Sequence, residues 1–378
     1  MINLALFLLV TLGPPIIPST PALHPATPYN AAAAATADDG FVVAYGSPSG
    51  ISIVHVDEAG TPSPEHAAVL PGGFAFVGDA AGELISYSDA NGAGVMRFDG
   101  TRTQLTSTVY PIARLAWNGH QYLFAWNDRG TINGLLLDAH ATPIGRPFTI
   151  ATFIAWFSIA SSGDSFLAAA FLGNDSVLAI PIFSSGSVGA PTDAGTGRFQ
   201  PHDLVGTESG YLLGLTDTIL ALDRNGRPRA ATKAIPEGET LLAITAGAFA
   251  LTDHGTLLAL DANARITATS KVPAQLNATL ATSQHGVLVV GYDGTSVVDR
   301  ATLRVTPPRP IATVPLAQSA PQIATANDGT TLALWEVPFN RHRSDASATT
   351  RRSMATASSS TPTALASAPR SAPTAATF

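Results

Sequence analysis

Short apolar runs of four to seven residues, each closed by a turn rich in Gly, Asn or Asp, alternate along most of this chain. No stretch carries the 3.6-residue period of an amphipathic helix, and branched and aromatic residues fill the runs, so the pattern predicts antiparallel β-strands. One word recurs: FVVAY from Phe41, LISY from Leu84, YLFAW from Tyr122, FLAAAF from Phe166, YLLGL from Tyr211, FALTD from Phe249, VLVVGY from Val287 and LALW from Leu332. Successive starts lie 38 to 45 residues apart. A period of this length, with each unit reading as several short strands, predicts the blades of a β-propeller rather than a helical solenoid. The expected fold class is therefore all-β, a β-propeller. Eight words imply eight blades, seven remain possible, and the last unit is incomplete.

The third unit shows the order of strands most clearly. PIARLAW (111–117) is a first strand, Asn118-Gly119 a turn and YLFAW (122–126) a second strand. NDRGT (127–131) is the next turn, INGLLLD (132–138) a third strand and PFTIA (147–151) a fourth. The third strand ends in aspartate again at Asp57, Asp99, Asp223, Asp261 and Asp299, and in the fourth unit IPIF (180–183) puts Ser184 at that place. Fourth strands end in proline in ATKAIP (231–236), ATSKVP (268–273) and PIATVP (310–315). Tyr45, Tyr87, Trp126, Phe171 and Trp335 close second strands, with Leu215 as a smaller exception, and are expected to fill the gaps between blades. One such sheet has two apolar faces and is not stable alone; stacking units around a ring buries both.

Composition bounds the rest. The chain has 378 residues, a net charge of −7 and only 12% charged residues. The last 39 residues carry Arg341, Arg343, Arg351, Arg352 and Arg370 against Asp345, so the acidity sits in the body of the chain. An acidic body does not suit a phosphate backbone, and nucleic acid is not an expected partner. There is no cysteine, which removes disulfides and thiolate metal sites. Residues 4–12 (LALFLLVTL) form an apolar run too short to span a bilayer and of the length of a secretory core, followed by Thr20-Pro21-Ala22 as a cleavage point, although no Lys or Arg precedes Arg97. The expected organisation is a signal peptide over 1–22, a Pro-rich linker over 23–30, the propeller over 31–339 and a low-complexity, disordered tail over 340–378 built of Ala, Ser, Thr, Pro and Arg. Within that tail, 363–368 (TALASA) reads as a strand that would close the ring against the first blade, or else as part of a degenerate end. The protein is expected to be secreted or periplasmic, monomeric and without a membrane span.

The sequence PIARLAWNGHQYLFAWNDRGTINGLLLDAHATPIGRPFTIA (111–151) resembles the repeat of secreted bacterial β-propellers of the YLxxW and IxGxxLD type, closely over this unit and recognisably over 31–337. The fifth and sixth units, with TDTILALDRNGR and TDHGTLLALDANAR, are distantly similar to quinoprotein-type repeats but lack the Thr-Gly and following Trp of that docking motif, so no quinone site carries over. The resemblance implies fold and export more than activity.

Candidate chemistry is sparse. The nine histidines show no HxH or HExxH spacing, and no GxSxG elbow, Walker loop or Rossmann glycine pattern occurs. Asp128, Asp217, Asp253 and Asp293 follow second strands, and His120 and His254 lie in inter-strand turns; these six are the candidate ligand-binding residues. Aspartates gathered at one mouth would suit a cation or a polyol, yet Asp also caps tight turns and one acid per turn falls short of a calcium loop. No cofactor, metal or catalytic residue is assigned. The expected function is a non-catalytic scaffold for an extracellular ligand, glycan or protein. The alternative is an extracellular hydrolase or lyase built from loops at one mouth, in which case acids, histidines and arginines should converge there.

Overall fold

The computed structural model describes residues 23–25, 29–47, 50–64, 66–70, 75–172, 175–197, 204–232, 235–273, 278–291, 294–311, 313–315, 319–325, 331–336 and 352–357. Two compact units divide the chain: residues 25–313, and a second unit drawn from 1–24 and 314–378.

The larger unit is a ring of seven blades. In the third, Ala113–Trp117, Tyr122–Asp128, Thr131–Leu137 and Pro143–Thr152 form a four-stranded antiparallel sheet in chain order. Blades one, two, four, five and six repeat this plan. Blade seven has three strands, Thr279–Thr282, Gly286–Gly291 and Gly294–Asp299; single bridges from Thr295 to Arg309 and from Val298 to Val305 occupy its outer edge, ahead of the 310–315 word. The first strand of each blade touches the first strand of the next, and that of blade seven touches that of blade one. The ring therefore closes with seven blades, the lower of the two numbers that the repeat allows.

Seven hydrophobic clusters lie one at each interface between blades. Strand alternation feeds two clusters at once: Leu212 packs towards blade six while Leu213 packs towards blade four. Tyr45, Tyr87, Trp126 and Leu215 each pack back onto the preceding blade, as their place at the strand end requires. Phe171 does not share that place. Ala170 holds it, and Phe171, one residue on, faces blade five, because a shift of one residue in a strand reverses the face. Burying the closing cluster, which includes Phe41, Tyr45, Leu288 and Val290, is worth roughly 2 kcal/mol for each large side chain.

The aspartate that closes third strands is a turn staple. Asp138 Oδ1 accepts from the backbone N–H of His140 and Thr142, both at 2.8 Å; Asp223 does the same for Asn225 and Arg227, and Asp261 for Asn263 and Arg265. In blade four Phe183, not Ser184, takes this position, since its N–H bonds the Ser187 carbonyl at 3.0 Å as Asp138 N–H bonds that of Thr142. There the backbone holds the turn without a carboxylate.

Within the smaller unit, Ser319–Thr325, Thr331–Glu336 and Arg352–Ala357 form a three-stranded antiparallel sheet. The eighth word is thus a strand, paired on one side with a segment of the Arg-rich tail. Residues 363–368 lie outside the described residues, as do 1–22.

Candidate functional site

Successive strands of a blade run in opposite directions, so the turns between first and second strands lie on one face of the ring and those between second and third strands on the other. Asp128, which ends the second strand of blade three, and Asp217, Asp253 and His254, in turns of the second kind in blades five and six, share one face. Asp293 lies outside the described residues. His120 does not join them. It sits in the turn between Ala113–Trp117 and Tyr122–Asp128, on the opposite face, with its Nε2 4.0 Å from Asp164 Oδ1 and both side chains exposed.

Two of the shared-face acids are engaged in structure. Asp253 accepts from Thr240 N–H at 2.9 Å and Thr240 hydroxyl at 2.8 Å, which fastens the linker into blade six. Partial burial works to raise its carboxyl, but those hydrogen bonds outweigh it and hold the group below the ordinary aspartate range. Asp217 accepts from the Thr218 hydroxyl at 3.0 Å. Asp128 differs: its half-buried side chain, and the exposed guanidinium of Arg129 beside it, have no hydrogen bond or ion pair among the described residues.

Asp128 and Arg129 line a cavity of about 800 Å³ at one end of blade three. Its wall comes from three segments: the linker 107–112 from blade two, the turn 127–130, and Ile154 and Ala155 at the entry to blade four. Backbone bonds fix them to one another, with Asn127 N–H donating to the Ile112 carbonyl at 3.0 Å and Ile154 N–H to the Gly130 carbonyl at 2.9 Å. The Asn127 amide completes the frame, donating to the Ile154 carbonyl at 3.2 Å and accepting from Gly130 N–H at 2.8 Å.

Tyr110 lines this cavity with its ring exposed, and the exposed Phe153 directly precedes the lining residue Ile154 in the chain. Phe153 is 89% exposed and Tyr110 46%, and Phe76 braces the Tyr110 ring edge-on at 6.0 Å between centroids. Tyr110, Arg129 and Phe153 have φ of 46°, 51° and 62°, a left-handed backbone that bulky residues avoid and that costs on the order of 1 kcal/mol each. Sequence reasoning missed Tyr110, Arg129 and Phe153. TFIAWF (152–157) reads as a continuous apolar run, and nothing local marks the left-handed residue that turns the Phe153 ring outward.

A second opening is the central channel, about 320 Å³, lined by the first strands of all seven blades. Its wall is Ala, Gly, Ser, Thr and aliphatic side chains, with Trp117 at one end and Asp79 as the ionisable group among the described lining residues. Asp79 Oδ2 accepts from Leu115 N–H at 2.9 Å, joining blades two and three. Ser161 hydroxyl donates to the Trp117 carbonyl at 2.5 Å and Thr282 hydroxyl to the Thr245 hydroxyl at 3.0 Å, so short polar side chains stitch the channel wall.

Fold and openings together define a seven-bladed β-propeller with a central channel and an open side cavity at blade three. No protein-family model and no curated protein matches the chain. Among solved structures it is similar to BamB from Moraxella catarrhalis, 14% identical over 68% of this chain and 80% of that one, with a TM-score of 0.44. It is similar also to apo AztD from Citrobacter koseri, at 12% identity over 75% and 88% with a TM-score of 0.44. Hsv2 of Kluyveromyces lactis gives 10% identity over 76% and 100% with a TM-score of 0.47.

Proposed function

We propose that this chain is an exported, non-catalytic β-propeller that binds an extracellular ligand on the face shared by Asp128, Asp217 and Asp253. The observation that carries the reading is the cavity at blade three, where a carboxylate and a guanidinium without partners among the described residues stand on a hydrogen-bonded frame beside the exposed Tyr110 ring. A cavity of this size lies within the range of sites for small organic ligands, and loops held by a stable scaffold are suited to recognition. The channel wall favours binding over the hydrolase or lyase alternative, since most of its side chains are small and neutral and Asp79, its one acid among the described lining residues, is bonded to Leu115 N–H. The apolar run at 4–12 supports export.

A thermal-shift screen of the purified protein against peptides, metabolites, glycans and metal ions tests the reading. A true ligand raises the melting temperature with its excess, and the shift should disappear in Asp128→Asn and Arg129→Ala. Hits that stabilise wild type and both variants equally would remove the cavity from the function.

A further inference from the structure

The cavity at blade three combines groups that select for a particular chemistry. Asp128 supplies acceptors, Arg129 supplies donors, and the hydroxyls of Ser107, Thr108 and Tyr110 supply both. The two charges are adjacent and opposite, so an anion meets the carboxylate and a cation meets the guanidinium. A neutral ligand with many hydroxyls uses both, because every hydroxyl donates and accepts. The exposed face of Tyr110 adds flat apolar surface to this polar wall, and the exposed Phe153 stands next to the lining residue Ile154 in the chain. An apolar face edged by hydroxyls is the shape of a pyranose ring. The strained backbone at Tyr110, Arg129 and Phe153 means the fold holds all three in place against their own preference, which is how preorganised sites are built.

We infer that this cavity binds a neutral oligosaccharide, with a sugar ring against Tyr110 or Phe153 and its hydroxyls on Asp128 and Arg129. The inference rests on the binding reading given above and narrows it to one ligand class.

Calorimetric titration of the full chain with cellohexaose, chitohexaose, maltohexaose and laminarihexaose tests it. At least one should bind, with little dependence on salt because the ligand carries no charge. Phe153→Ala, Tyr110→Ala and Asp128→Asn should each weaken that binding roughly tenfold, while His120→Ala on the opposite face leaves it unchanged. Phe153 is almost fully exposed, so its variant reads out even if Tyr110→Ala disturbs the fold. Binding that survives all three substitutions, or no binding of any of the four at millimolar concentration, overturns the inference. In the latter case a peptide or metabolite whose thermal shift is lost in Asp128→Asn would leave the binding face standing and remove only the saccharide; with neither, both readings fail.

Discussion

Asp39 in blade one meets the Nδ1 of His285 in blade seven, 246 residues away along the chain, and its other carboxylate oxygen accepts from Gln284 N–H at 2.9 Å. This contact joins the first turns of the two blades at the seam where the ring closes. The hydrogen bond with His285, followed by those from Ser283 and Gln284, holds the Asp39 carboxyl below the ordinary aspartate range against its partial burial.

A carboxyl lowered in the folded state contributes stability above its unfolded value and loses it as pH falls through the folded value. Wild type should therefore melt higher than Asp39→Ala at neutral pH, and the gap should close in acid below the ordinary aspartate range. Thermal melts of both proteins across that range check this; a gap independent of pH would dissociate the carboxylate from closure.

Tyr211 pins blade five to blade four, its hydroxyl donating to the Ser165 carbonyl at 3.4 Å. Burial pushes the phenol up to about 12. Tyr211→Phe should cost about 1 kcal/mol in urea unfolding at neutral pH. Because the folded phenol ionises only near 12, wild-type stability is unaffected by it below pH ~10 and falls by on the order of 2 to 3 kcal/mol as pH rises towards ~12 and the unfolded phenol ionises first. Alkaline unfolding of wild type should show this decline and Tyr211→Phe should show less of it.

Gly206 lies where the first strand of blade five crosses that of blade four. A Cβ there would stand 1.6 Å from the Ser161 carbonyl oxygen, so any side chain forces the two strands apart. Gly206→Ala should destabilise the ring by about 3 kcal/mol, measured by denaturant unfolding; an unchanged midpoint would mean that the strands are not this close.

The closing cluster of Phe41, Val43, Tyr45, Leu288, Val290 and Val297 is drawn from blades one and seven. A chain ending at Pro315 should keep its β-sheet circular dichroism and a single cooperative thermal transition. Aggregation or loss of cooperativity on that truncation would show that seven blades do not suffice to protect the ring edges.

The blade was legible because its determinants are local. Alternation of apolar residues, a turn every few residues and an aspartate four residues before the return of the chain, as from Asp138 to Thr142, are set within some forty residues of sequence. The same locality misled at Phe171 and Ser184, where the word is preserved but the register slips by one.

What the sequence by itself determined is the unit: four short strands, two apolar faces, and no stable existence outside a stack. The tertiary structure decided how many units close, which turns share a face, and where a cavity is left. Closure depends on the sum of small rotations over every interface, a quantity that no single repeat contains. The partnering of Asp39 with His285 and the gathering of Asp128, Arg129, Tyr110 and Ile154 arise only once that sum brings distant turns together.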